Sequence, residues 1–223
     1  MSDNKPNFET PLDNDKHKLM GESWIKDDWK TKPSLSPRVF NNNVSLVCWS
    51  RHPDEESAGK SARPIIARMD PVIWNVFKGI LKDTIANPEP GFSTLVLNNK
   101  ETPQSPIDVQ CKVQIGRSEA GVIYIGIKAP NRVPVKFEIQ STIWYHIEDK
   151  SGNKWGEQRV SDAVATAWID RVSAAIDQVL VDKYVDQETV KRFRNEARQR
   201  RVSEKSESNL NSDNFNEDSF KAA

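Results

Sequence analysis

The chain lacks most of the marks of the commoner functional classes. No apolar run approaches the roughly 18–20 residues that a membrane helix needs. The opening segment MSDNKPNFETPLDNDKHKLMG has no apolar signal core, so the sequence predicts neither export nor membrane insertion and a cytoplasmic location. There are only two cysteines, Cys48 and Cys111, each inside an apolar, strand-like run. That pattern fits buried, reduced thiols rather than a disulfide framework. Histidine is as scarce: His17, His52 and His146 stand at no recognisable spacing from a nucleophile.

Other absences bear on catalysis. Gly59-Lys60-Ser61 has the last residues of a phosphate-binding loop, but position 54, where that loop needs its first glycine, is Asp54. The backbone there would not wrap a phosphate in the usual way. Cys48, His52, Cys111 and His146 match no zinc-module spacing. Asp54, Glu55 and Glu56 read as a solvated charge run in a loop, and no carboxylate cluster suited to a nuclease can be assembled. The expectation is a protein that is not an enzyme and takes no metal or cofactor.

Net charge is absent too, with 32 Lys plus Arg against 32 Asp plus Glu. A zero sum argues against a simple, highly basic DNA-coating protein. The distribution along the chain is uneven, however. Seven bases (Lys191, Arg192, Arg194, Arg198, Arg200, Arg201, Lys205) face two acids, Glu196 and Glu204, and the next stretch holds Glu207, Asp213, Glu217 and Asp218 with no base before Lys221. Segregated charge of this kind points to partners rather than to the fold.

What is present reads as one α+β core with polar ends, consistent with a chain 36% hydrophobic and 29% charged. Residues 1–21 are polar and expected to be disordered, 22–185 to form a single core, 186–205 a basic helix, and 206–223 a disordered acidic tail. In the core, VSLVCWS (44–50) and RPIIARM (63–69) read as strands, with a loop between them. Asp70-Pro71 is a helix start, and Ile73, Val76, Phe77, Ile80, Leu81 and Ile85 recur at helical spacing over 71–85. Residues 92–140 read as a four-stranded antiparallel meander. Its second strand alternates Ile107, Val109, Cys111, Val113 and Ile115 with polar residues, and its third alternates Ile123, Ile125 and Ile127 with Tyr124, Gly126 and Lys128. A second amphipathic helix, 161–184, is expected to pack on the meander's apolar face through Val164, Trp168, Val172, Ile176, Val179 and Leu180.

The wet face of that meander carries Gln110, Lys112, Gln114, Tyr124, Lys128, Lys136 and Glu138, with Arg132 in the connecting loop. A flat face with an aromatic ring and several cations suits single-stranded nucleic acid: bases stack on rings and cations follow phosphates. Of seven tryptophans, Trp49 and Trp168 are expected in the core, whereas Trp24, Trp29, Trp144 and Trp155 lie near lysines or at segment ends and are the stacking candidates. Arg192, Arg194 and Arg198 of the basic helix are placed to follow phosphates or to pair with the acidic tail.

The tail SNLNSDNFNEDSF presents Phe215 and Phe220 among Glu217 and Asp218. It resembles the acidic, Phe-containing tails of bacterial and tailed-phage single-stranded DNA-binding proteins. Loose resemblance to small tailed-phage proteins of that class extends to Asn41–Arg51, Gly59-Lys60, Pro64–Pro71, Gly121–Ile127 and Pro134–Ile139. The resemblance implies a whirly-like or oligonucleotide-binding-barrel-like fold, and a tail that docks replication partners and competes with DNA. The order of four strands then a helix is nearer the whirly pattern, although only two strands are read before the first helix. The expected function is sequence-tolerant binding of single-stranded DNA in phage replication or recombination, with a possible homo-oligomer. The rivals are a transcription accessory factor that brings RNA polymerase to melted DNA, and a virion or assembly protein that does not bind DNA.

Overall fold

The computed structural model describes residues 11–13, 15–57, 63–99, 106–141, 145–186, 188–189, 191–192, 195–196 and 199. The chain divides into two units, Met1–Lys183 and Tyr184–Ala223. In the second unit the described residues 188–189, 191–192, 195–196 and 199 are helical, within the basic segment.

The first unit is α+β. Its strands form two open, four-stranded antiparallel sheets. The first sheet takes β1 (Leu19–Met20), β2 (Ser34–Phe40), β3 (Asn43–Trp49) and β4 (Ile65–Met69), in that order. A short helix α1 (Pro53–Ser57) interrupts it between β3 and β4, and helix α2 (Pro71–Ala86) follows it. The second sheet takes β5 (Gly91–Asn99), β6 (Asp108–Arg117), β7 (Ile123–Lys128) and β8 (Val135–Glu138), and helix α3 (Glu157–Asp182) follows. Four strands and then a long helix therefore occur twice.

The expected meander and both expected long helices are present. Two further strands, β1 and β2, stand ahead of those the sequence predicts. The β2–β3 hairpin closes on Asn41-Asn42, both at positive φ (47° and 58°), with Phe40 paired to Asn43. Such a two-residue turn matches the twist of its strands, and Asn tolerates the conformation. Pro37 is accommodated because β1 pairs only with Ser34 and Leu35, so no neighbour needs its missing N–H. In the polar segment before residue 22, the described residues 11–13 and 15–21 are tied to this unit. They make 3-10 turns at Pro11–Asp13 and Asp15–His17, Leu12 is buried, and Trp168 Nε1 donates to the His17 carbonyl at 3.1 Å.

One core joins the inner faces of both sheets to α2 and α3. Leu35, Leu46, Cys48 and Ala67 come from the first sheet, Val113, Ile115, Ile125 and Phe137 from the second, and Phe77, Leu81, Val172 and Ile176 from the helices. Asp70 caps α2, its side chain accepting from Ile73 N at 2.8 Å. The other end of α2 has no basic residue in its last turn. Arg117 at the end of β6 supplies one: its guanidinium is buried and donates to the carbonyls of Thr84 (2.9 Å), Ile85 (3.2 Å) and Asn87 (2.9 Å), at the helix end where carbonyls lack a partner within the helix. It also pairs with Asp162 of α3 at 2.7 Å. Ser161 of α3 accepts from Ile123 N (2.8 Å) and donates to Ile139 O (2.6 Å), which seats the helix on the second sheet. No described helix is long and apolar enough to cross a membrane.

Candidate nucleic-acid interface

Period-two alternation sorts the second sheet into a buried inner face and an outer one. Ile115, Ile123 and Ile125 are wholly buried, and Ile127 very nearly so. The residues between them form rows across the outer face by their register. One row runs Phe92, Gly116, Tyr124, Glu138; the next Thr94, Gln114, Gly126, Lys136; the third Val96, Lys112, Lys128.

Two glycines shape this face. At Gly116 a Cβ would lie 2.4 Å from Gly91 O and 2.6 Å from Phe92 Cβ, so only glycine lets β5 approach so closely. At Gly126 a Cβ would meet Gln114 Cβ at 3.4 Å. With no side chains there, the face is hollowed into a concavity of about 600 Å³, lined among others by Phe92, Gln114, Tyr124, Lys128 and Lys136. Phe92 is 64% exposed. The concavity thus offers two aromatic rings separated by bare backbone, with Lys128, Lys136 and one acid, Glu119, in its lining.

Three lysines stand on this face. Lys112 and Lys128 are direct cross-strand partners, and like charges placed opposite each other cost stability unless an anion lies between them. Lys136 Nζ sits 4.7 Å from the Tyr124 ring centroid and 2.7 Å from Glu138 Oε1. Gln140 also hydrogen-bonds Glu138. Glu138 therefore holds Lys136 over the ring.

The other expected binding residues are distributed differently. Arg132 is not on the face. Its guanidinium grips Glu55 of α1 through Nε–Oε1 and Nη2–Oε2, both 2.9 Å, and donates to Arg63 O at 3.1 Å. A fork that fits a carboxylate in two places is committed to that carboxylate rather than to a phosphate. Glu55 is likewise not a solvated loop acid but is buried. Burial alone would push its carboxyl up. Arg132, the Ser50 hydroxyl and Val133 N–H outweigh that and bring it down to about 2. Trp24 Nε1 donates to Ser50 O at 2.6 Å, and its ring meets His52 edge-on. Trp155 is covered by the Arg159 guanidinium, 3.6 Å from its ring. Trp29 is 72% exposed, in a 3-10 turn that leads into the first sheet rather than on the second.

Trp49, expected in the core, is instead 37% exposed. Its parity on β3 is opposite to that of the buried Val44, Leu46 and Cys48, so it faces outward. Trp168 is buried as expected. Burial pushes the Cys48 thiol up to about 12 and the Cys111 thiol to about 11, as inert core thiols. Arg192 belongs to the second unit, where its Nε lies 3.9 Å from Glu196 Oε1. Trp144, Arg194, Arg198, Phe215, Glu217, Asp218 and Phe220 lie outside the described residues. Phe92, Val96 and the two glycines join the site without having been expected there, although the alternation that selects Tyr124 also selects them.

Among the described residues no group of three or more His, Cys, Asp or Glu side chains is placed to hold a metal ion. Comparison of the chain with models of known families, with curated proteins and with solved structures returned no match.

Proposed function

We propose that the chain is a non-enzymatic, sequence-tolerant single-stranded DNA-binding protein of phage replication or recombination type. Its first contact surface is the outer face of the second sheet. The observation that carries the reading is the hollowed face itself, in which Phe92 and Tyr124 flank bare backbone and Lys112 and Lys128 oppose each other. Bases stack on the rings, each such contact contributing roughly 1–3 kcal/mol whatever the base. Lys112, Lys128 and Lys136 take the phosphates. The acidic segment with Phe215, Glu217, Asp218 and Phe220 recruits partner proteins, Phe as anchor and acids against a basic rim. Of the two fold types implied by the resemblance, the whirly-like one is favoured, since four strands and a helix recur twice and neither sheet closes into a barrel.

The test is anisotropy of labelled oligo-dT and of a duplex of equal length, titrated with the full chain at low and moderate salt. Saturable binding that prefers the single strand and weakens with salt supports the reading. No binding at low salt removes it and leaves the assembly-protein alternative.

A further inference from the structure

The first sheet has an outer face of the same make, which the function proposed above does not use. Its register sets out rows: Met20, Ser34, Trp49; Ser36, Val47, Ile66; Arg38, Ser45, Arg68; then Phe40 with Asn43 at the hairpin. Phe40 is 65% exposed, and Met20, Trp49 and Ile66 are exposed as well. Ser34, Ser36 and Ser45 are buried between these larger neighbours. They form a low floor, as Gly116 and Gly126 do on the second sheet. Arg38 and Arg68 flank Ser45, and these rows contain no acid. Paired rows that hold two arginines and expose an indole and a phenyl ring are unusual for a surface that meets only water.

The two sheets are joined beside these faces. Gln110, the unpaired residue at the bulge of β6 two residues before Lys112, donates to the Ile66 carbonyl of β4 at 3.0 Å. A strand leaving Lys112 and Lys128 across Gln110 therefore arrives at Ile66 and Arg68. In the repeated order of four strands and a helix, β2, β3 and β4 occupy the positions in the first repeat that β6, β7 and β8 occupy in the second.

We propose that the outer face of the first sheet is a second segment of one nucleic-acid path. Arg38 and Arg68 contact phosphates there, and Phe40 and Trp49 take bases, so that a single strand runs over both sheets. This rests on the single-stranded DNA reading of the second sheet, and the experiment separates the two.

The full chain is titrated with oligo-dT of about 8 and about 30 nucleotides, below and above the footprint of a small binding module. The wild type is compared with Arg38→Gln/Arg68→Gln, with Phe40→Ala and with Lys112→Glu/Lys128→Glu, all checked for melting temperature and sedimentation. The arginine pair is expected to weaken long-oligomer binding about tenfold. It should also flatten the slope of log affinity against log salt by about 1.4, which is about 0.7 for each of two phosphates no longer neutralised. Phe40 lies exposed at a hairpin tip, so Phe40→Ala folds, and it should weaken binding of the long oligomer at least about fivefold. Trp emission should be quenched more by the long oligomer than by the short one, and Trp49→Phe should remove that excess. If the first-sheet variants bind the long oligomer as the wild type does while the lysine pair is impaired, the second segment is overturned and the function proposed above stands. If they change only self-association, the face is an interface between copies, and the inference is again overturned. If the wild type binds neither oligomer, both readings fail.

Discussion

Arg132 and Glu55 meet through two parallel hydrogen bonds of 2.9 Å, one from Nε and one from Nη2, and both side chains are largely withdrawn from water. The pair ties α1, which lies between strands of the first sheet, to the loop between β7 and β8 of the second. Breaking it strands a buried charge, so Arg132→Met is expected to cost about 3–5 kcal/mol of stability, measured by urea unfolding. The pH dependence follows from the Glu55 carboxyl, held at about 2 against an ordinary 4.5. The unfolded chain takes up that proton first as pH falls. The pair's contribution is thus fully present above 4.5 and disappears as pH falls towards 2. Glu55→Gln should flatten the stability profile in that window. Arg132→Met should leave the salt slope of DNA binding unchanged, since the guanidinium serves Glu55 and not a phosphate.

Arg117 should be a second stabilising centre with no part in DNA contact. It satisfies three carbonyls at the end of α2 and pairs with Asp162 of α3. Arg117→Leu leaves those acceptors and a carboxylate unpaired, and unfolding should become easier by about 3 kcal/mol or more. Asp162→Asn keeps a hydrogen-bond acceptor and should cost less.

The two glycines of the outer face give opposite phenotypes. Gly116→Ala drives a Cβ into Gly91 O and Phe92, so it should destabilise the β5–β6 pairing and lower the melting temperature. At Gly126 an added Cβ meets Gln114 at 3.4 Å as its nearest neighbour, and Gly126→Val puts a β-branched residue in a strand, where such residues are favoured. It should fold as well as the wild type yet bind oligo-dT several-fold more weakly, because its side chain fills the hollow.

Much of this arrangement is legible in the residues, and the parts that are not have definite reasons. The strict alternation of β6 and β7 identifies which side chains face outward, including Lys112, Tyr124 and Lys128. β2 is hidden because Pro37 stands mid-strand, where proline usually argues against a strand. The compensating signal is Asn41-Asn42, a turn pair between two β-rich runs. The size of Trp49 suggests burial, whereas its parity with Val47 assigns it to the outside. Arg132 and Glu55 lie 77 residues apart in the chain. No local pattern reports such a pairing, so both look like solvated charges.

Glu138 should act as a brake. It holds Lys136 at 2.7 Å, over the Tyr124 ring. Glu138→Gln removes the acid paired with Lys136 and frees the ammonium for phosphate, with Glu119 left in the lining of the hollow. Binding should tighten several-fold, with the gain shrinking as salt screens it. Lys136→Gln should weaken binding and abolish the effect of Glu138→Gln in the double variant.

The most direct test of the central claim is the affinity of Lys112→Glu/Lys128→Glu for oligo-dT across a range of salt, beside the wild type. The account predicts that the wild type binds and weakens with salt, and that the variant, with its melting temperature retained, binds at least about tenfold more weakly and with a flatter salt slope. A folded variant with wild-type affinity and slope would contradict it.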